Sequence, residues 1–176
     1  MYWPKVTIDG TEYDLSHLDP YSIEVSPAAP DAPTFKVGVS FGCHTFTRER
    51  QDGDPISHHF EHRGDVRTFC PKRYELSKLL PELIGNQIGR VYFSHDSYLI
   101  AYALDGLAYP YVVVFKMSKA KIPDLDTRMF VTTAHEKSSM ASKSPAITFA
   151  TLVDSTAKGR RITQPRERRS ITLIKK

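Results

Sequence analysis

Two cysteines and four histidines crowd one stretch of the chain: Cys43, His44, His58, His59, His62 and Cys70. Thiolates and imidazoles are the ligands that zinc prefers, and a site requires them to converge within about 2.0–2.3 Å of the ion. The spacing argues against such a site. No C-x-x-C pair is present, and the single H-x-x-H pair is His59/His62 in a polar stretch that reads as loop. The sequence therefore predicts no cofactor and no tightly bound metal. Were a metal held, Cys43, His44, His62 and Cys70 would be the ligands to test. Two cysteines are also too few for a disulfide framework, so both are read as reduced thiols.

A second group lies in DVRTFCPKRYELS, residues 65–77. Arg67, Lys72 and Arg73 set three cations at the start of a helix, a natural phosphate site. The plainer alternative pairs Arg67 with Asp65 or Glu61 and leaves Lys72 and Arg73 as solvated helix charges. No glycine-rich phosphate loop occurs, which excludes a P-loop or dinucleotide-binding reading.

The third group is Arg128, Thr132, Thr133 and His135, with His95 further back. Metal-free RNA cleavage needs a base for the 2′-hydroxyl, an acid for the leaving oxygen and a cation for the phosphorane. Histidine suits the first two tasks because it titrates near neutrality. Arginine suits the third because its planar fork matches phosphate oxygens. His135, Arg128, His95 and Thr133 are accordingly the candidate catalytic set. For any one of them alone, a strand-end histidine paired with a carboxylate such as Glu136 is the simpler reading.

The fourth group is the C-terminal end. From Lys158 onward there are eight Lys/Arg against one Glu, while the preceding residues carry a small net negative charge within a total of +4. Arg67, Lys72, Arg73, Arg160, Arg161, Arg166, Arg168 and Arg169 are the candidate nucleic-acid-binding residues, through phosphate contacts whose affinity falls with salt. The segment has no aromatic residue, so it is not a stacking platform for single strands. A solvated tail, or a tail that docks on an acidic protein, fits the same composition.

The elements that must position these groups follow from pattern. Val112–Phe115 is a continuous apolar run, as in a strand buried on both faces, and predicts an inner strand over 111–117. A second strand spans 128–134. Phe35, Val37, Val39 and Phe41 alternate with polar or small residues, a half-buried strand. Residues 5–15 read as a hairpin around Asp9-Gly10, with a short strand at 21–25. Three prolines make 26–33 a surface loop. Residues 43–63 read as a long polar excursion, and 65–69 as a short strand. Pro71 opens a helix that Pro81 must kink and Gly85 or Gly89 must end. Strands at 90–94 and 98–103 flank His95-Asp96. Pro145 opens a second helix, which Gly159 ends. Ile171, Leu173 and Ile174 offer an edge strand.

These elements give an α+β fold: a mainly antiparallel curved β-sheet with about two helices packed on one face. The expected organisation is a single α+β domain over 1–159 and a basic C-terminal tail over 160–176. No run approaches a membrane span and no signal peptide is visible at the start, so a cytoplasmic protein that makes no membrane contact is expected.

MFVTTAH, residues 129–135, followed by a polar stretch, resembles the closing strand of the barnase/colicin/RelE-like toxin ribonucleases. Members of that superfamily often end on an apolar strand carrying a Thr-Ala-aromatic element. Here His135 stands in the aromatic position, and about 60 additional residues precede the helix-then-sheet order. The resemblance implies a small metal-independent endoribonuclease, a toxin or defence effector from a bacterial mobile element, with RNA as substrate and a neutralising antitoxin as partner. The alternative from composition is a non-catalytic module that binds nucleic acid or a protein through the basic C-terminal segment.

Overall fold

A computed structural model describes residues 2–27, 31–86 and 88–176. The chain runs β1 (Val6–Ile8), β2 (Thr11–Tyr13), β3 (Tyr21–Val25), β4 (Phe35–His44), β5 (Thr47–Glu49), β6 (His59–His62), β7 (Asp65–Phe69), α1 (Pro71–Ser77) and α2 (Leu80–Gly85). It continues through β8 (Arg90–Ser94), β9 (Ser97–Ala103), β10 (Tyr111–Lys119), β11 (Thr127–Glu136), β12 (Lys143–Ser144), β13 (Ala146–Thr148), α3 (Phe149–Ala157), β14 (Arg169–Ser170) and β15 (Ile174–Lys175). The fold is α+β, with a curled, mostly antiparallel main sheet in the order β13-β8-β9-β10-β11-β4-β3. Its parallel pairs are β4 with β11 and β15 with β9. A smaller sheet, β5-β7-β6, stands beside it.

β10 is an inner strand, flanked by β9 and β11. Tyr111, Val113 and Phe115 point into the core, where they meet Val37, Val39 and Phe41 of β4 and Met129 and Val131 of β11. Leu80, Leu83 and Ile84 of α2 and Phe149, Leu152 and Val153 of α3 seal the same core. Pro81 divides the first helical stretch: α1 ends at Ser77 and α2 restarts two residues beyond Lys78.

Two segments differ from the sequence reading. The excursion at 43–63 contains β5 and β6. Their side chains are largely polar and carry no apolar alternation, but an aromatic cluster beneath them holds the small sheet in place. Trp3 packs edge-on against Phe46 at 5.2 Å, and Phe46 against Phe60 at 5.1 Å. The Asp54 carboxylate staples the turn by accepting from Arg48, from Gln51 N at 2.9 Å and from Thr68 Oγ1 at 2.6 Å. The second helix begins at Phe149, not at Pro145, because Ala146–Thr148 pairs with β8 first. Thr148 then caps α3, its side chain accepting from Thr151 N at 3.1 Å. Of the loop expected at 26–33, residues 28–30 lie outside the described residues.

Burial sets the expected cost of change. Val113 is fully buried, so Val113→Asp should leave no soluble folded protein, because an unpaired carboxylate would sit in the core. Phe115→Ala, which removes a fully buried ring, should fold but lose about 3–5 kcal/mol in urea titration. A soluble Val113→Asp chain with native circular dichroism would contradict the assignment.

Candidate functional site

A bulge organises the site. Across the β10–β11 ladder, Val114 and Phe115 face Thr133 and Val131, leaving Thr132 unpaired in register. Its Oγ1 donates to the Val114 carbonyl at 3.0 Å. Against β4 the same step spans Phe41 to His44. The burial phase shifts with it, from Thr127, Met129 and Val131 to Ala134. Thr133 and His135 thereby share the face opposite the core.

Beyond the bulge the chain forms a knot of polar contacts. Thr133 Oγ1 lies 3.3 Å from His135 Nδ1 and donates to the His44 carbonyl at 3.4 Å. Arg73 Nη1 donates to that same carbonyl at 3.2 Å and to Thr47 O at 2.7 Å. Burial first, then the charges of Arg73 and Lys137, push the His135 imidazole down to about 4. It is a neutral ring at physiological pH, a weak base that keeps one ring N–H but lacks the second proton that an imidazolium would give up as a general acid.

The candidate catalytic set does not converge. Arg128 and His135 lie on one strand seven positions apart, about 20 Å at strand rise. Arg128 faces a shallow groove with Lys36, Ile122 and Leu125. His95 sits in the β8–β9 turn at φ +49°, beside Asp96, which pairs with Lys116. Ladder register sets that turn towards the Arg128 end of the sheet. What comes together is Thr133, His135 and Arg73.

The three cations near α1 are engaged in positioning. Arg67 Nε donates to Thr47 Oγ1 at 2.8 Å, and Lys72 pairs with Glu136, which also accepts from Tyr109 N at 3.0 Å. At the C-terminal end, Arg160 stands 3.8 Å from Asp154 and Arg169 3.3 Å from Glu167. Arg161, Arg166 and Arg168 are exposed. They share the surface with Lys175 and have no carboxylate within ion-pair distance among the described residues.

A different group of side chains does converge. A cleft of about 370 Å³ opens between the main and small sheets. Cys43 and His44 end β4 on one wall, and Asp65 opens β7 on another. A ligand atom from each lies within 4.8 Å of the others. His44 Nε2 is 2.8 Å from Asp65 Oδ2, and Arg67 Nη1 is 3.7 Å from the same oxygen. Burial pushes the Cys43 thiol up, with Arg67 opposing, and the hydrogen bond from His44 holds the Asp65 carboxyl below its usual range. The Arg63-Gly64 turn, with both residues at positive φ, sets His62 directly opposite Asp65. Phe130, 44% exposed, forms the outer lip. Gly42 makes room for it, since a Cβ there would lie 3.1 Å from the ring. Sequence reading grouped Cys43 and His44 with His62, which lines the cleft, and with Cys70, which stands at the N-cap position of α1. It missed Asp65, 21 residues on in a separate strand.

A model of the YjaZ family matches residues 5–157. The chain belongs to that family. No curated protein and no solved structure matches it. In this YjaZ-family chain the matched span holds β1–β13, the three α-helices and the cleft residues Cys43, His44 and Asp65, and it ends before the basic segment with β14 and β15. Among the described residues no helix is long and apolar enough to cross a membrane.

The depressed His135 value carries a pH signature. In the unfolded chain the ring binds a proton at its ordinary value of 6.5, and in the folded chain only near 4. Stability should therefore be fully present above pH 6.5 and be lost as pH falls towards 4, because the unfolded state binds more protons in that window. His17, whose value burial also lowers, acts in the same direction. Urea midpoints at pH 7 and pH 5 should differ less in His135→Gln than in the wild type. Ring resonances of His135 that titrate near 6.5 in the folded protein would refute the burial account.

Proposed function

We propose that the chain is a non-catalytic module that binds nucleic acid through a basic ribbon fastened to its main sheet. What supports this reading is the way the last residues lie. The Tyr92 hydroxyl, fully buried on β8, accepts from Thr172 N at 2.8 Å and donates to the Ser170 carbonyl at 3.2 Å. β14 pairs with β12, Ile171 N donates to Ser142 O at 3.0 Å, and β15 extends along β9. The basic segment is thus pinned over its distal part, residues 169–175, to β12, β8 and β9, with Arg160, Arg161, Arg166 and Arg168 in the stretch that leads from α3 to these anchors. Cations held in place lose less freedom on binding than cations on a loose tail.

The chemistry of the ribbon selects a polyanion of regular spacing. Its exposed arginines offer bidentate contacts to phosphate oxygens and release counterions on binding. It carries no aromatic residue to stack on bases. Recognition through it is therefore of backbone and not of base sequence.

A five-fold variant, Arg160, Arg161, Arg166, Arg168 and Arg169 each to Gln, should bind duplex RNA and DNA far more weakly. It should also flatten the slope of log K against log salt, by up to about four. Tyr92→Phe keeps every charge but removes the anchor. It should preserve most of the slope while weakening binding, and amide exchange over 169–175 should rise. Binding that neither variant alters would refute the proposal. RNA kept with the wild type in EDTA should remain intact. Cleavage abolished by His135→Ala would instead favour the ribonuclease that the likeness of β11 implies.

A further inference from the structure

We propose that Cys43, His44 and Asp65 bind a divalent transition-metal ion, zinc foremost, with the fourth position open to the cleft and taken by water or an anionic oxygen. This site is independent of the basic ribbon. It uses a thiolate, an imidazole and a carboxylate, the three ligand types that zinc accepts, in the number found where a fourth position is kept open.

The geometry is close to what binding requires. Neighbouring ligands of a tetrahedral ion with bonds of about 2.0–2.3 Å lie roughly 3.3–3.8 Å apart. The three ligand atoms already stand within 4.8 Å of one another, so the group must contract by about 1 Å. The His44–Asp65 pair, at 2.8 Å, must instead open slightly to admit the ion between its two atoms. His44 and Asp65 are partly exposed and can make that adjustment, while Cys43, 6% exposed, is fixed at the floor. Both strand ends that carry the ligands are held firmly. Thr47 Oγ1 donates to the Cys43 carbonyl at 2.7 Å, and Asp65 is paired with His62 in the β6–β7 ladder.

Charge then sets what occupies the open position. A thiolate and a carboxylate cancel the charge of a dication. Arg67, its side chain 11% exposed and 3.7 Å from Asp65, leaves the site net positive. An anionic oxygen is the ligand that balances it. Trp3 forms part of the wall, and its buried indole N–H has no partner among the described residues. His62 lines the cleft, but its ring lies against Trp3 at 4.9 Å and it is outside the group of three. Binding would release the Cys43 proton, so affinity should rise with pH.

The test is titration of the reduced full-length protein with Co²⁺. One equivalent should give visible bands of a tetrahedral centre together with a near-ultraviolet thiolate-to-cobalt band, and Zn²⁺ should bleach both. Cys43→Ser should abolish the thiolate band. His44→Asn and Asp65→Asn should each weaken binding by no less than the about 10–100-fold that changes outside the ligand shell cost. Asp65→Asn alters an exposed side chain and should fold normally, which keeps the test usable if Cys43→Ser does not fold. Cys70→Ser and His62→Ala should leave the spectrum unchanged. Absence of stoichiometric cobalt bands in the wild type, or bands that survive in both Cys43→Ser and Asp65→Asn, would overturn the site. Loss of the bands in His62→Ala would overturn the open fourth position.

Discussion

β11 is hydrogen-bonded antiparallel to β10 along one side and parallel to β4 along the other. A tight turn can join the first kind of pair but never the second, which needs a long crossover. The chain between β4 and β11 is that crossover. It has room for the small sheet, α1, α2 and the β8–β9 hairpin before it returns, and each of these packs on what β4 and β11 already hold together. Placing β11 between two strands also removes its edges, and the same holds for the apolar run of β10, which no exposed edge could carry.

The parallel pairing constrains side chains as well as strands. On the outer face of β4, Gly38 and Gly42 are both overlain by residues from or beside β11. A Cβ on Gly38 would meet Leu125 Cδ1 at 2.4 Å, and one on Gly42 would meet the Phe130 ring at 3.1 Å. The first contact seats the loop before β11, and the second lets Phe130 lean over the cleft. Leu125 can swing away from an added methyl group. Gly42 is less forgiving, because the Thr132 carbonyl lies 3.3 Å from the same point.

The main sheet was legible because its signals are local. The apolar run of β10, the alternation of β4, Asp9-Gly10, Pro71 and Pro81 each act through the backbone of their own segment. Of the small sheet only β7 was legible; β5 and β6 were not, because they owe their place to Trp3, Phe46 and Phe60 underneath and to Asp54, and none of these gives a period. The start of α3 was displaced for a related reason. Ala146–Thr148 fits a helical stripe, but pairing with β8 satisfies a sheet edge that propensity alone does not see. Of the candidate residues, Thr133, His135 and Arg73 came together, while Arg128 and His95 did not, since two residues on one strand can be neighbours in sequence class and still stand far apart along its length. Asp65 was invisible as a partner of Cys43 and His44 because its position depends on β7 folding back beside the end of β4.

His44 joins the two halves of the site. Its carbonyl takes hydrogen bonds from Arg73 and Thr133, and so ties α1 and the bulged end of β11 to the end of β4. Its ring faces the other way, to Asp65. The backbone of one residue therefore secures the buried knot around His135, while its side chain is left to the cleft. The bulge at Thr132 makes this division possible: without the extra residue, the burial phase of β11 would continue unbroken, and Thr133 and His135 would turn into the core in place of Ala134. A neutral His135 is then the consequence of its burial first and of the charge of Arg73 second, an arginine whose Nη1 is committed to two main-chain carbonyls. The cleft beyond His44 is where side chains of three chemical types remain close together with space in front of them.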